Sequence, residues 1–323
     1  MTATHPDVPL RLAVLGAGGR VGSLLRGSGT MPGALWFSRR GSRGVQAWDM
    51  LTEPAPEALR GAEVMICLAG EVPGAAPGGD LAANTRLALA AVEAAAAVGI
   101  GHLLIASSIA VYGTEGAPWR EDAPLRAQAA YGRAKLEMEA ALLALAGPGA
   151  PWQGAKAAAS LAIGGLATGA LAGAGAGVRL QVRPRRSGPQ VCVLRMGNVV
   201  GADALSGAIA GGQPLTLDLC PGGSSPLRSV IGPVTLGRVL RALAARAVSG
   251  AGLPQVLNLA QPGPVAMAAL CAAAGRGFGW RGAGPQTLPL AALDTGALQA
   301  LVPLPAAGPA ALIAEWRAAG GLP

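Results

Sequence analysis

Short apolar runs alternate with longer helical stretches through the first part of the chain, and each run closes on small or polar residues. Leu10 to Leu15 reads as a strand ending in Gly16-Ala17-Gly18-Gly19-Arg20-Val21-Gly22, after which Ser23 to Arg26 continues as a helix. Ala34 to Phe37 reads as a second strand closing on Ser38-Arg39-Arg40, and the short run Val45 to Trp48 leads to Asp49-Met50. Glu63 to Gly70 predicts a strand with the small-residue end Leu68-Ala69-Gly70, followed by a flexible loop from Pro73 to Gly79. Leu81 to Val98 predicts an alanine-rich helix with Asn84 in its first turn. Leu103 to Ser107 then reads as a strand, Ala130 to Ala146 as a helix and Val191 to Leu194 as a strand. Strands and helices alternating at this length predict an α/β fold, a doubly wound parallel sheet with its ligand crevice at the strand carboxyl ends.

The pattern loosens later. A strand at Ser229 to Ile231, a helix at Thr235 to Ala247, a strand at Val256 to Ala260, a helix at Ala266 to Ala274 and a last helix near Ala310 to Ala319 predict a smaller lobe over the crevice. The expected division is a dinucleotide-binding domain over 1–200, with an Ala/Gly-rich insertion near 148–189, and a substrate lobe over 201–323. Within the insertion, Ala157 to Val178 carry no charge, and Gly165, Gly169, Gly173 and Gly177 repeat every four residues. The length would suit a membrane span. Ala and Gly are barely apolar, however, and a single span would part Lys135 from the strand at Val191, which should share its sheet. A surface insertion or an oligomer contact, such as a homodimer face, is therefore preferred to membrane contact; peripheral attachment through Ala157 to Arg186 stays open.

Composition adjusts this picture at three points. With 323 residues, 51% of them apolar and 13% charged, the chain can bury a large core without disulfides. The net charge of +8 would raise nucleic acid as a partner, yet Lys156, Arg179, Arg183, Arg185 and Arg186 supply five of those charges in one acid-free segment, leaving +3 elsewhere. The expected partner is a small-molecule substrate, with no nucleic acid. Cys67, Cys192, Cys220 and Cys271 form no C-x-x-C pair, which predicts reduced thiols in a cytoplasmic protein. Two histidines, His5 and His102, are too few for a His-based metal site and badly placed for a Ser-His-Asp triad, so no metal is expected. Met1 to Pro9 lacks a basic region and does not read as a signal peptide.

The chemistry gathers in three stretches. The glycine turn from Gly16 to Gly22 follows the first strand and opens a helix, where bare backbone can approach a pyrophosphate and helix-start amides can donate to it. An acidic residue after the second strand would suit the ribose hydroxyls of NAD; Ser38 and Arg39 stand there instead and tilt the reading towards NADP, a solvated basic turn being the alternative. Asp49 and Met50 are placed to reach the adenine, and Leu68, Ala69 and Gly70 leave room for a dinucleotide across a strand end. The third stretch holds Ser108 at a strand end, Val111-Tyr112-Gly113, and Tyr131 with Lys135 as Y-x-x-x-K on one helix face. The chain has only two tyrosines and two lysines, so where it uses Lys rather than Arg the ammonium itself looks selected.

Taken in order, the glycine turn, Leu68-Ala69-Gly70, Asn84, Ser108, Val111-Tyr112-Gly113, Tyr131 with Lys135, and Leu194-Arg195 with Asn198 resemble the extended short-chain dehydrogenase/reductases. More narrowly, the chain is similar to the NAD-dependent epimerase/dehydratase family, of which UDP-glucose 4-epimerase is the best-known type. The resemblance implies a Rossmann fold, bound NADP or NAD and three catalytic residues. Tyr131 would exchange a proton with a substrate hydroxyl, Lys135 would favour the phenolate and bond the nicotinamide ribose, and Ser108 would hold the reacting oxygen. It also implies that Gly16, Gly19, Arg20, Val21, Gly22 and Asn84 lie at the cofactor, that Asn198 lies at the substrate, and that Arg228 meets a nucleotide diphosphate. Two departures matter. Ile109-Ala110 follows Ser108 where the 4,6-dehydratases of the family carry Asp-Glu, which disfavours dehydration. Arg228-Ser229-Val230-Ile231-Gly232-Pro233 is stripped of the family's polar residues, which weakens the case for a nucleotide sugar. The function expected is an epimerase or reductase acting by hydride transfer; a dinucleotide-binding scaffold or sensor with little turnover is the alternative.

Overall fold

The computed structural model describes residues 10–73, 79–145 and 188–322. The segment that was expected to form the glycine-repeat insertion, and most of the Pro73 to Gly79 loop, lie outside them. Seven parallel strands form the central sheet: β1 (Leu12–Leu15), β2 (Leu35–Ser38), β3 (Gln46–Ala47), β4 (Val64–Cys67), β5 (His102–Ser108), β6 (Gln190–Met196) and β11 (Val256–Leu259), in the order β11-β6-β5-β4-β1-β2-β3.

Both faces of the sheet are covered, and the period of two along the strands shows how. Leu12 and Val14 pack with Leu24 and Leu25 of helix α1 (Arg20–Gly27) and with Leu236, Val239 and Leu240 of helix α5 (Pro233–Val248). The intervening Ala13 and Leu15 pack with Ala88, Ala91 and Ala95 of helix α2 (Ala83–Val98) and with Met138 and Leu142 of helix α3 (Ala130–Leu145). Successive strand residues point to opposite faces, so a strand apolar throughout requires a helical layer on each side. Each fully buried Val, Leu, Ile or Met removed from water contributes about 1.5–3 kcal/mol, and these residues make up most of the inner strands. This is the doubly wound sheet that the strand and helix pattern predicts. Its order runs outward in one direction from β1 to β3 and in the other from β4 to β11. The switch point between β1 and β4 is where such sheets open a ligand crevice.

The rest of the chain is less regular. Helix α4 (Ala204–Ala210) is capped by the Asp203 carboxylate, which accepts from the Ser206 amide at 2.7 Å. Strand β7 (Asn198–Val199) pairs with β10 (Val230–Ile231), and β8 (Leu215–Leu219) pairs with β13 (Phe278–Gly282). Strand β9 (Leu227–Arg228) lies between β12 (Val265–Ala266) and β14 (Leu290–Ala291). Helices α6 (Met267–Ala273), α7 (Gly296–Leu301) and α8 (Pro309–Ala318) complete the chain. Two features differ from the sequence expectation. The stretch from Gly201 to Arg228, to which the sequence pattern assigns no element, contains α4 and β8; β8 finds its partner some sixty residues away, so no local signal marks it. The sheet also takes β11 from beyond residue 200, so lobe and sheet are interleaved along the chain.

Candidate active site

The glycine turn closes the end of β1 against its neighbours. Gly16 has φ +84°, and the Gly16 and Ala17 amides both donate to the Phe37 carbonyl at 3.0 Å. A Cβ at Gly16 would stand 2.6 Å from the Ala69 amide nitrogen, and one at Gly22 would stand 2.4 Å from the Gly16 carbonyl oxygen. Neither position can accept a side chain, because β1, α1 and the end of β4 touch through bare backbone. Gly19 caps α1 without a side-chain bond, so the first-turn amides are open to a ligand at the positive end of the helix dipole. Ser38 lies against the same turn, its Oγ 3.3 Å from where a Gly18 Cβ would be; Arg39 beyond it is exposed. Asp49 and Met50 are half-buried past β3, with the Asp49 carboxylate accepting from the Leu51 amide at 3.1 Å.

Across the switch point, Leu68, Ala69 and Gly70 follow β4, and Asn84 in the first turn of α2 is buried beside them. Its amide nitrogen donates to the carbonyls of Glu71 at 3.1 Å and Leu81 at 2.9 Å, while its Oδ1 is buried with no hydrogen-bond partner. A Cβ at Gly70 would lie 2.6 Å from that Oδ1 and 3.3 Å from Lys135 Nζ. An orphan acceptor and an ammonium thus converge on a space that glycine keeps clear. A ligand hydroxyl there would satisfy both groups, and a buried acceptor left unmet carries a penalty of about 1–3 kcal/mol. With the closed glycine turn and the open amides of α1, this cradle fits a dinucleotide.

Ser108 at the end of β5 faces Tyr131 in the first turn of α3, and Lys135 follows one turn later on the same helix. Ser108 is the last residue of β5, and its Oγ accepts from the Ala110 amide at 3.2 Å. Tyr131 enters α3 directly opposite because Gly132 lets that turn close on the chain after Ser108; a Cβ on Gly132 would stand 2.4 Å from the Ala110 carbonyl oxygen. The sequence reading missed Gly132, whose signal was its place between Tyr131 and the helix body. Burial pushes the Tyr131 phenol above its usual range, against the hydrogen bond from Ser108 and the positive charge of Arg20, which pull it down. Arg20 was expected only at the cofactor, and its charge also reaches Tyr131. Lys135 is 4% exposed, donates to the Ala106 carbonyl at 3.0 Å, and is brought down to about 8 by desolvation, with the Cys67 thiol and Glu139 pulling upward.

The residues expected at the substrate hold hydrogen bonds within the chain. Asn198 Nδ2 donates to Asp203 at 3.2 Å, and Arg228 Nη1 donates to the carbonyls of Leu227 at 2.8 Å and Leu288 at 2.7 Å. Arg228 stands on β9, in a separate three-stranded sheet. Tyr112 is wholly buried, stacked on Trp119 at 5.5 Å, with its hydroxyl donating to Asn258 Oδ1 at 2.6 Å. Among the described residues, no group of three or more His, Cys, Asp or Glu side chains is placed to hold a metal, and no helix is long and apolar enough to cross a membrane.

A doubly wound sheet with a glycine turn at its switch point defines a Rossmann-type α/β protein. Residues 58–150 match the model of the NAD dependent epimerase/dehydratase family, which bears out the resemblance drawn from the motifs. No curated protein matches the sequence. Among solved structures, UDP-glucose 4-epimerase from Brucella ovis in complex with NAD is 16% identical, with a TM-score of 0.68 over 94% of this chain and 96% of that one. MoeE5 in complex with UDP-glucuronic acid and NAD is 20% identical, with a TM-score of 0.66 over 95% and 99%. TunA, an NAD dependent NDP-hexosamine 5,6-dehydratase involved in tunicamycin biosynthesis, is 15% identical, with a TM-score of 0.66 over 96% and 98%. At these identities the likeness is one of fold.

Proposed function

We propose that the chain is an NAD(P)-dependent enzyme, an epimerase or reductase acting on an alcohol/carbonyl pair of a sugar or sugar-nucleotide-like substrate. What supports this reading is Tyr131 lying close enough to Ser108 for that hydroxyl to lower its pKa, with Lys135 one turn later donating to the Ala106 carbonyl of the same strand and facing the cradle at Gly70 and Asn84. When bound, the nicotinamide dinucleotide accepts or supplies the hydride. The chain's own residues handle the proton. Tyr131, favoured as the phenol by its environment, gives its proton to a carbonyl oxygen during reduction, and the phenolate so formed takes the proton of a hydroxyl in the reverse oxidation. Ser108 donates to the oxygen on which charge develops and holds it towards Tyr131. The Lys135 ammonium, with Asn84 Oδ1, holds a ribose hydroxyl at Gly70 and so fixes the distance between the reacting centres.

The exposed Arg39 after Ser38 favours a 2′-phosphate, and hence NADP. Two of the similar structures named above carry NAD. Releasing the cofactor of the purified protein by denaturation separates the readings. Tightly held NAD supports an epimerase, which regenerates its cofactor at each turnover. An empty site that NADPH fills in titration supports a reductase. Failure to bind either dinucleotide overturns the enzyme reading.

A further inference from the structure

Below the Ser108–Tyr131–Lys135 set lies a second group of polar side chains that the proposed chemistry does not use. Glu139 follows Lys135 by one turn of α3, so the two side chains share the buried face of the helix. Glu139 and Arg195 are both 0% exposed. The carboxylate accepts from Arg195 Nη2 at 2.8 Å, from Nε at 3.1 and 3.2 Å, and from the Ser107 hydroxyl at 2.5 Å. Arg195 also donates to the Tyr112 hydroxyl at 3.0 Å and to the Glu121 carbonyl at 2.9 Å, with its guanidinium 4.9 Å from the centre of the Tyr112 ring.

Stability alone explains such a pair poorly, because desolvating two charges offsets much of their attraction, and apolar replacements of similar volume are often neutral or stabilising. Its position is more telling. The carboxylate bonds Ser107, the neighbour of Ser108 on β5, while belonging to the helix that carries Tyr131 and Lys135; Arg195 ties both to β6. We propose, resting on the functional reading above, that Glu139 and Arg195 are positioning residues: their pair locks the Lys135 helix to the Ser107–Ser108 strand end, and its carboxylate balances the Lys135 ammonium.

The groups that face Lys135 are few. Cys67 comes from β4, Glu139 from α3 with Arg195 of β6 behind it, and the uncharged Asn84 from α2. Burial pushes the Cys67 thiol up to about 11, so the anion near Lys135 at neutral pH is Glu139. Removing that charge leaves Arg195 unbalanced beside a buried ammonium and makes the ammonium easier to deprotonate.

The test needs no substrate. The full chain holds two lysines, so ¹³C-labelled lysine gives two titrating signals, assigned with Lys156→Arg. In Glu139→Gln the Lys135 midpoint is expected to fall by roughly one pH unit or more. If that variant does not fold, Glu139→Gln with Arg195→Met removes both charges at similar volume, and its Lys135 midpoint is expected to fall by less, but still measurably. A pair that serves only the fold would leave the midpoint in place in whichever variant folds, and that result overturns the proposal. NADH titration, followed by fluorescence on the same samples, separates the two readings. Wild type that binds no dinucleotide overturns the proposed function and the positioning role with it. Wild type that binds, with an unmoved midpoint in the variant, overturns the positioning role alone.

Discussion

The two walls of the crevice are built in opposite ways. On the β1–β4 side the shape comes from missing side chains: Gly16, Gly22 and Gly70 sit where a Cβ would strike backbone or the Asn84 amide, and the Asn84 Oδ1 that faces the space has no hydrogen-bond partner. The residues that the proposed function puts on the far side are already engaged, Asn198 with Asp203 and Arg228 with two main-chain carbonyls. The first wall is therefore preformed for a ligand with hydroxyl and phosphate groups. On the second, Asn198 and Arg228 are held by internal hydrogen bonds that fix where they point. The contrast is between a surface shaped by bare backbone for its ligand and one whose side chains are held by the protein itself.

The contrast breaks first at Tyr131, which stands between the walls. Tyr131→Phe removes the proton donor and keeps the ring, so turnover is expected to fall by about 10²–10⁴-fold while dinucleotide affinity is retained. Turnover with a panel of sugar and sugar-nucleotide substrates, alongside dinucleotide titration, checks both halves. Full activity in the variant would refute the proton-transfer role.

Gly22→Val tests the preformed wall itself. Its Cβ would stand 2.4 Å from the Gly16 carbonyl oxygen, so the turn must open and α1 must shift. Overpacking of this kind costs about 1–3 kcal/mol, and thermal melting should show that loss together with weakened dinucleotide binding. A variant with unchanged melting and affinity would mean that the turn does not form the cradle.

Lys135 sharpens the comparison through pH. Its ammonium, brought down to about 8, is present below that pH and lost above it. Dinucleotide affinity that depends on the ammonium should therefore weaken as pH rises through about 8. The effect on stability has the opposite sign. Between about 8 and the ordinary lysine value of 10.5 the unfolded chain binds the proton that the folded chain has released, so this group's contribution to stability rises with pH across that window. Dinucleotide titration and urea unfolding at a series of pH values separate the two trends, and a Lys135→Met variant should flatten both.

The same contrast governs what the sequence revealed. The glycine turn, the small residues after Cys67, Asn84 and the Tyr131–Lys135 spacing all lie within one strand, turn and helix of each other, where local pattern is informative. Gly132 and Glu139 were missed although their signals were present: a glycine at a helix start next to Tyr131, and a carboxylate one turn after Lys135 on the buried face. Arg195 was noticed only as part of a motif, since nothing local reveals that its partner is Glu139, 56 residues earlier. The lobe strands were hardest to read. Leu215–Leu219 pairs with Phe278–Gly282, whose alternation is interrupted by glycines, and the energy that forms either strand comes from the other.

Arg228 gives the smallest expected effect and the cleanest separation of the walls. Its guanidinium bridges the carbonyls of Leu227 and Leu288, joining β9 to the segment that leads into β14. Burial lowers its pKa, with the Cys220 thiol and Asp218 pulling the other way, but it keeps its charge at neutral pH. Arg228→Met keeps most of the stem and loses both bonds, so a stability loss of about 1–3 kcal/mol is expected from carbonyls left without their donor. Dinucleotide affinity should stay the same, because no part of the cradle rests on β9. Chemical unfolding and dinucleotide titration of the one variant read the two quantities independently. A loss of affinity as large as the loss of stability would show that the walls are mechanically coupled, and that the cradle is not preformed by its own turns.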